Sequence, residues 1–247
     1  MIMKKKYILL LLLFLLLPGH TPLRAQSEDE TFFRQEAAGA SILYRGHQAY
    51  GYNVRYNGYY WWASPEFTTG DVLYDGKLYH GLELNVDAAR QELLVRHLVG
   101  QGSKVLSRES VEWFTLGGRR FVNLQALCGP AAPSGFWEVL YDGRTLFLRQ
   151  IAKTLLSDHN GAKRQMIGEG EPYDLRIHET FVRDVSYCLL TETGRLVPVR
   201  NKGQIRRLFL DQRKDISRHI VSLERRFDRS MTLEEYGMEV LKFVEER

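Results

Sequence analysis

Apolar and polar positions alternate with a period of two through most of the chain. Leu78, His80, Leu82, Leu84 and Val86 fall on one face of such a run, and Tyr79, Gly81, Glu83 and Asn85 on the other. Val111, Trp113 and Thr115 alternate with Glu112, Phe114 and Leu116, so this strand is apolar on both faces. Phe136, Glu138 and Leu140 alternate with Trp137, Val139 and Tyr141. Turn dipeptides separate the runs: Arg45-Gly46, Asn57-Gly58, Asp75-Gly76, Gly117-Gly118, Asp142-Gly143 and Thr193-Gly194. Asn-Gly and Asp-Gly tolerate the positive φ that two-residue hairpins need. The octapeptides VLYDGKLY (72–79) and VLYDGRTL (139–146) share this chemistry and read as a short repeat. About eight to twelve strands are expected between residues 40 and 200. Two stretches interrupt them: 127–135, with two prolines and two glycines, and the polar segment 157–172. Both read as surface loops, and the second alternatively as a functional lid.

The period changes at the C-terminus. Ile216, Ile220, Leu223 and Phe227 follow i, i+4, i+7, i+11, one face of a helix. Thr232 and Glu235 form a T-x-x-E capping box that starts a last helix with Leu233, Tyr236, Val240, Leu241 and Val244 as its apolar stripe. Helices are predicted near 211–228 and 232–246, with a short one near 203–209. Lys202, Arg206, Arg207, Arg213, Lys214, Arg218, Arg225, Arg226 and Arg229 make this end locally basic. They read as a solvated face with local ion pairs, or as a docking face for an acidic partner or phosphate-bearing lipid headgroups. The expected class is α+β, mainly β: an antiparallel sheet over 40–200, curled, sandwich-like or barrel-like, then two or three helices in 201–247 packed on it.

Composition alters this picture at the N-terminus. Lys4, Lys5 and Lys6 precede ten uninterrupted apolar residues, Ile8 to Leu17, and Pro18 ends the run. Ten helical residues rise about 15 Å, half the thickness of a hydrocarbon core. Residues 1–25 therefore read as a secretory signal peptide cut near Ala25, followed by a lead-in over 26–39. A short uncleaved anchor is the alternative. No later segment is apolar enough to cross a membrane as a helix, so no transmembrane anchor is expected after cleavage. Removing Lys4, Lys5, Lys6 and Arg24 leaves 30 basic residues against 30 acidic ones. The basic balance thus belongs to the leader, and nucleic acid is not an expected partner. In an oxidising compartment the two cysteines, Cys128 and Cys188, would form a disulfide or remain buried thiols.

Recognisable catalytic and metal-binding spacings are missing from the sequence. There is no H-E-x-x-H, no Cys/His set at zinc spacing, no phosphate-binding glycine loop and no G-x-S-x-G. The histidines are scattered. Glu138 with Asp142, and Glu66 with Asp71, lie near one another in sequence, but neither spacing demands catalysis. No catalytic residue, metal or cofactor is therefore assigned. The most unusual composition lies at 50–62, YGYNVRYNGYYWW, where seven of thirteen residues are aromatic. Tyr59, Tyr60, Trp61 and Trp62 are consecutive, so a strand would turn two to each side. One side would be core, and the other would need a cover, a partner or a ligand.

The phrases SPEFTTGDVLYDGKLYHGLELNVDAARQELLVRH (64–97), VEWFTLGGRRFVNL (111–124) and GFWEVLYDGRTLFLRQIAKTLL (135–156) carry a resemblance. With the leader and the C-terminal helical pair, the chain resembles a broad group of uncharacterised secreted proteins of Bacteroidetes-type bacteria. The resemblance implies export across the inner membrane of a Gram-negative cell, to the periplasm or beyond, and implies no activity. The expected function is a non-enzymatic binding or scaffolding module of the envelope, with an envelope protein or a small ligand as partner. A periplasmic carrier of a small apolar or sugar ligand and a hydrolase of glycans or envelope polymers are the alternatives.

Overall fold

The computed structural model describes residues 42–97 and 102–246, all within one compact unit. The expected leader (1–25) and lead-in (26–39) lie outside the described residues.

Eleven strands form one sheet: β1 (Tyr56–Asn57), β2 (Thr68–Tyr74), β3 (Lys77–Asp87), β4 (Glu92–Arg96), β5 (Ser103–Val105), β6 (Val111–Leu116), β7 (Arg119–Asn123), β8 (Phe136–Tyr141), β9 (Leu146–Ser157), β10 (Glu179–Leu190) and β11 (Leu196–Val199). Their order is β1-β10-β9-β8-β7-β6-β2-β3-β4-β5, with β11 also beside β10. Two antiparallel meanders thus meet where β2 pairs with β6. The sheet curls without closing. Its β3–β4 turn reaches β9, where Lys153 N–H donates to the Ala88 carbonyl at 3.1 Å and the Gln91 side chain to the Ile151 carbonyl at 3.1 Å.

Directly paired residues share a face, so the register sorts the side chains. The inner face carries Phe114 stacked on Phe121, with ring centroids 4.8 Å apart, and Phe136 set edge-on to Phe114. All three are buried, together with Val72, Leu84, Val86 and Phe181. Further along this face, Phe147, Leu189 and Val199 meet the helices. The outer face carries Trp113, Val122, Trp137, Leu148 and Cys188, which pack with Leu124 and Cys128 of α1 (Leu124–Cys128). The sequence pattern treats 127–135 as irregular throughout, but its first two residues finish this helix. Asn123 caps it by accepting from Gln125 N–H at 3.1 Å, and Gly129 ends it at φ 92°. Five residues are too few to establish a helical period.

The three C-terminal helices are α2 (Lys202–Arg207), α3 (Arg213–Phe227) and α4 (Leu233–Glu245). Ile205, Ile216, Ile220, Tyr236, Val240, Leu241 and Val244 fill one cluster with Phe147 and Leu189 of the sheet. The Thr232–Glu235 capping box forms in full at the start of α4, and the Arg229 guanidinium donates to the Glu235 carboxylate at 2.8 Å. That pairing and the Thr232 backbone N–H hold the Glu235 carboxyl down at about 2. Several residues of the basic stretch have local acidic partners, as in Arg218–Asp215 at 2.9 Å and Lys202–Glu224 at 3.7 Å.

Candidate functional site

The aromatic segment ties the curl together. Asn57 and Tyr56 form β1 against β10, while Tyr60 and Trp62 exchange hydrogen bonds with the end of β3: Ala88 N–H to the Tyr60 carbonyl at 2.8 Å, and Trp62 N–H to the Val86 carbonyl at 2.9 Å. Its rings fill the mouth of the inner face. Tyr52 lies 4.8 Å from Tyr60 and 4.9 Å from Phe181; Trp61 lies 4.4 Å from Tyr60; Trp62 stands edge-on to Phe121 at 5.0 Å. Tyr59, Tyr60, Trp61 and Trp62 are all half-buried. Each is therefore covered in part by the fold. Burial, then the neighbouring Tyr56 and Asp87, pushes the Tyr60 hydroxyl up to about 12.

Four buried carboxylates have defined partners. Asp87 accepts from Ala89 and Arg90 backbone N–H at 2.8 and 2.9 Å, and from the Tyr52 hydroxyl at 3.3 Å. Burial nevertheless raises its carboxyl, and it raises the Tyr52 hydroxyl too. Glu138 is paired with Arg119 at 2.7 Å and with Arg149, which reaches on to Glu234 of α4 at 2.8 Å. Asp158 accepts from the Tyr173 hydroxyl at 3.1 Å. Glu171 meets Lys153 at 2.6 Å, and the two side chains are 8% and 1% exposed. Burial depresses the Lys153 ammonium, which the Glu171 carboxylate partly restores. Such pairs cost several kcal/mol to break from one side. Together with Gly58 N–H to the Pro172 carbonyl at 2.8 Å and Tyr59 N–H to Glu171 at 2.7 Å, this pair fastens the 157–172 loop over the closing segment.

The outer face carries a groove of about 200 Å³, lined by Trp113, Val122, Ala126, Leu127, Val139 and Leu146. Leu127 is 57% exposed, although it belongs to α1. The Arg120 guanidinium lies 5.4 Å over the Trp113 ring and pairs with Asp142 at 3.0 Å, so the apolar floor has a charged rim. Sequence spacing does not bring Trp113 and Leu127 together, because the groove forms only once β6, β7, β8 and α1 are adjacent. Glu138 and Asp142, neighbours in sequence, go to different partners: Arg149 inside, Arg120 outside.

Cys128 and Cys188 are free thiols in this structure and share the outer cluster. Burial, then the nearby Cys128, pushes the Cys188 thiol up to about 12, which leaves it un-ionised at neutral pH. Among the described residues, no three His, Cys, Asp or Glu side chains converge to hold a metal, and no helix is long and apolar enough to cross a membrane. No family model, curated protein or solved structure matches the chain.

Proposed function

We propose that this chain is an exported, non-enzymatic binding module of the bacterial envelope, and that it holds a protein partner through the outer groove. The observation that carries the reading is an apolar groove with a half-exposed leucine and a tryptophan floor, set under an arginine–aspartate rim. Aromatic and arginine side chains in such a setting are the usual anchors of protein interfaces. Size favours a protein side chain over a free small molecule. The groove offers about 200 Å³, whereas small-molecule pockets run to roughly 300–1,000 Å³. The inside of the curl, where a carrier would hold its ligand, is occupied by Phe114, Phe121 and Phe136.

The test places a photoreactive benzoylphenylalanine at position 127 in cells producing the full chain, with position 78 as a second exposed leucine for control. A discrete protein adduct is expected at 127 and none at 78. Equal labelling at both positions, or no adduct at 127 with the protein folded, would sink the groove reading. Native mass spectrometry of the purified protein checks the rest. A stoichiometric small molecule would favour the carrier instead. The same spectrum fixes the cleavage site, and it reads a Cys128–Cys188 disulfide as the loss of two hydrogens.

A further inference from the structure

One edge of β10 is covered by β9 along its whole length, Glu179 to Leu190. The other edge is strand-paired only at its ends, and the turn at 162–166 packs against β10. β1 pairs in parallel at Glu179 and Thr180, and β11 pairs antiparallel from Tyr187 to Leu190. Among the described residues, no strand pairs with this side of β10 between Phe181 and Ser186. Six residues at about 3.3 Å each make an opening of roughly 20 Å. The outer edges of β5 and β11 are guarded. Residues 47–49 run along β5, with Ala49 N–H to the Ser103 carbonyl at 2.9 Å and Val105 N–H to the His47 carbonyl at 3.0 Å. β11 carries Pro198, a residue that blocks further pairing.

An unpaired strand edge presents alternating donors and acceptors, which only another extended backbone can satisfy in series. We propose that the Phe181–Ser186 gap is a docking site for a short extended peptide of a partner protein, running antiparallel to β10. Its sequence class follows from the side chains it must face. Arg183 and Asp184 are exposed, Val185 beside them is half-buried, and Val182 on the other side is buried. Directly opposed residues attract when oppositely charged and repel when alike. The favoured peptide therefore reads apolar–basic–acidic–apolar, opposite Val185, Asp184, Arg183 and Val182 in turn. The flanking strands limit it to about six residues.

A second copy of this chain fits poorly. Two copies joined through the same edge are related by a two-fold axis normal to the sheet, which keeps each side chain on its own face. Even-numbered residues then oppose even ones, and odd oppose odd. Centring the pair on 183 sets Arg183 against Arg183, and centring it on 184 sets Asp184 against Asp184. This edge involves none of the residues lining the groove, so the inference stands apart from the groove reading.

The test titrates the ¹⁵N-labelled protein with N-acetyl-TVKEVT-amide and, separately, with the charge-exchanged N-acetyl-TVEKVT-amide. Amide shifts and slowed exchange are expected at 181–187, with the first peptide binding about tenfold tighter. The double variant Arg183→Glu with Asp184→Arg should invert the preference. Methylating alternate backbone nitrogens of the first peptide should abolish binding while keeping its side chains. Equal binding, a preference for the exchanged peptide, binding that survives methylation, or shifts elsewhere would each overturn the proposal. Protection of the same amides by raising the protein concentration alone would give the edge to a second copy and overturn it likewise.

Discussion

The two octapeptides VLYDGKLY and VLYDGRTL begin with the same five residues and turn differently. In the first, Asp75 and Gly76 take φ of 48° and 71° and make a two-residue hairpin, with Tyr74 opposite Lys77. In the second, Tyr141 pairs with Phe147, the register shifts near Val139, and residues 142–145 form a wider loop. The difference comes from elsewhere in the chain. The Glu245 carboxylate at the end of α4 accepts from Arg144 N–H at 3.0 Å, Thr145 N–H at 2.9 Å and the Tyr141 hydroxyl at 3.2 Å. A helix about 100 residues downstream thus replaces the hydrogen bonds that a tight turn would have made for itself. Identical turn chemistry is a preference, and a well-placed acceptor overrides it.

The sharpest way to break the comparison is at the two glycines. A Cβ on Gly143 would run into the Glu245 carboxylate and the Tyr141 ring. Gly143→Ala should lower stability by about 2 kcal/mol, read from the urea midpoint. Adding Glu245→Ala, which costs about 1–2 kcal/mol alone through three lost hydrogen bonds, should give a total below the sum, since the colliding group is then gone. Strict additivity would remove Glu245 as the cause of the wider loop. Gly76 has open space around its would-be Cβ but a positive φ. Gly76→Ala should therefore cost about 1 kcal/mol through backbone conformation alone, and no change in α4 should alter that figure. The smallest effect is a titration. Burial, followed by Glu245, raises the Tyr141 hydroxyl above its ordinary value of 10.0. The stability this group contributes is full below pH 10.0 and falls as pH climbs through the folded value. Glu245→Ala should lower the Tyr141 midpoint measured by ultraviolet absorbance; an unchanged midpoint would remove Glu245 as a cause.

Sequence reading captured what is local. Period-two alternation located the strands, Asp75-Gly76 and Gly117-Gly118 marked two tight hairpins, and Thr232 with Glu235 announced α4. It failed where one stretch answers to a distant one. Asn57-Gly58 looks like a hairpin turn, yet Asn57 joins β1 and Gly58 N–H goes to Pro172. Tyr59 to Trp62 were legible as aromatic but not as the link between β10 and β3, because their partners are set by curl rather than by alternation. Lys153 and Glu171 are a polar residue in a strand and one in a loop until the fold buries them together. Trp113 and Leu127 likewise become a surface only after α1 lies down on β7 and β6.

The closing segment also sets an order of events. Tyr59 bonds to Glu171 across 112 residues, and Asn57 to Ile177 across 120. During synthesis these aromatics emerge early and wait until β10 has been made. The meander from β6 to β10 grows from neighbours and can condense first, whereas the ring of contacts around Tyr60 carries the entropic cost of a long loop. The most aromatic stretch of the chain is therefore also the one left longest without its partners, when a nascent chain is most prone to aggregate.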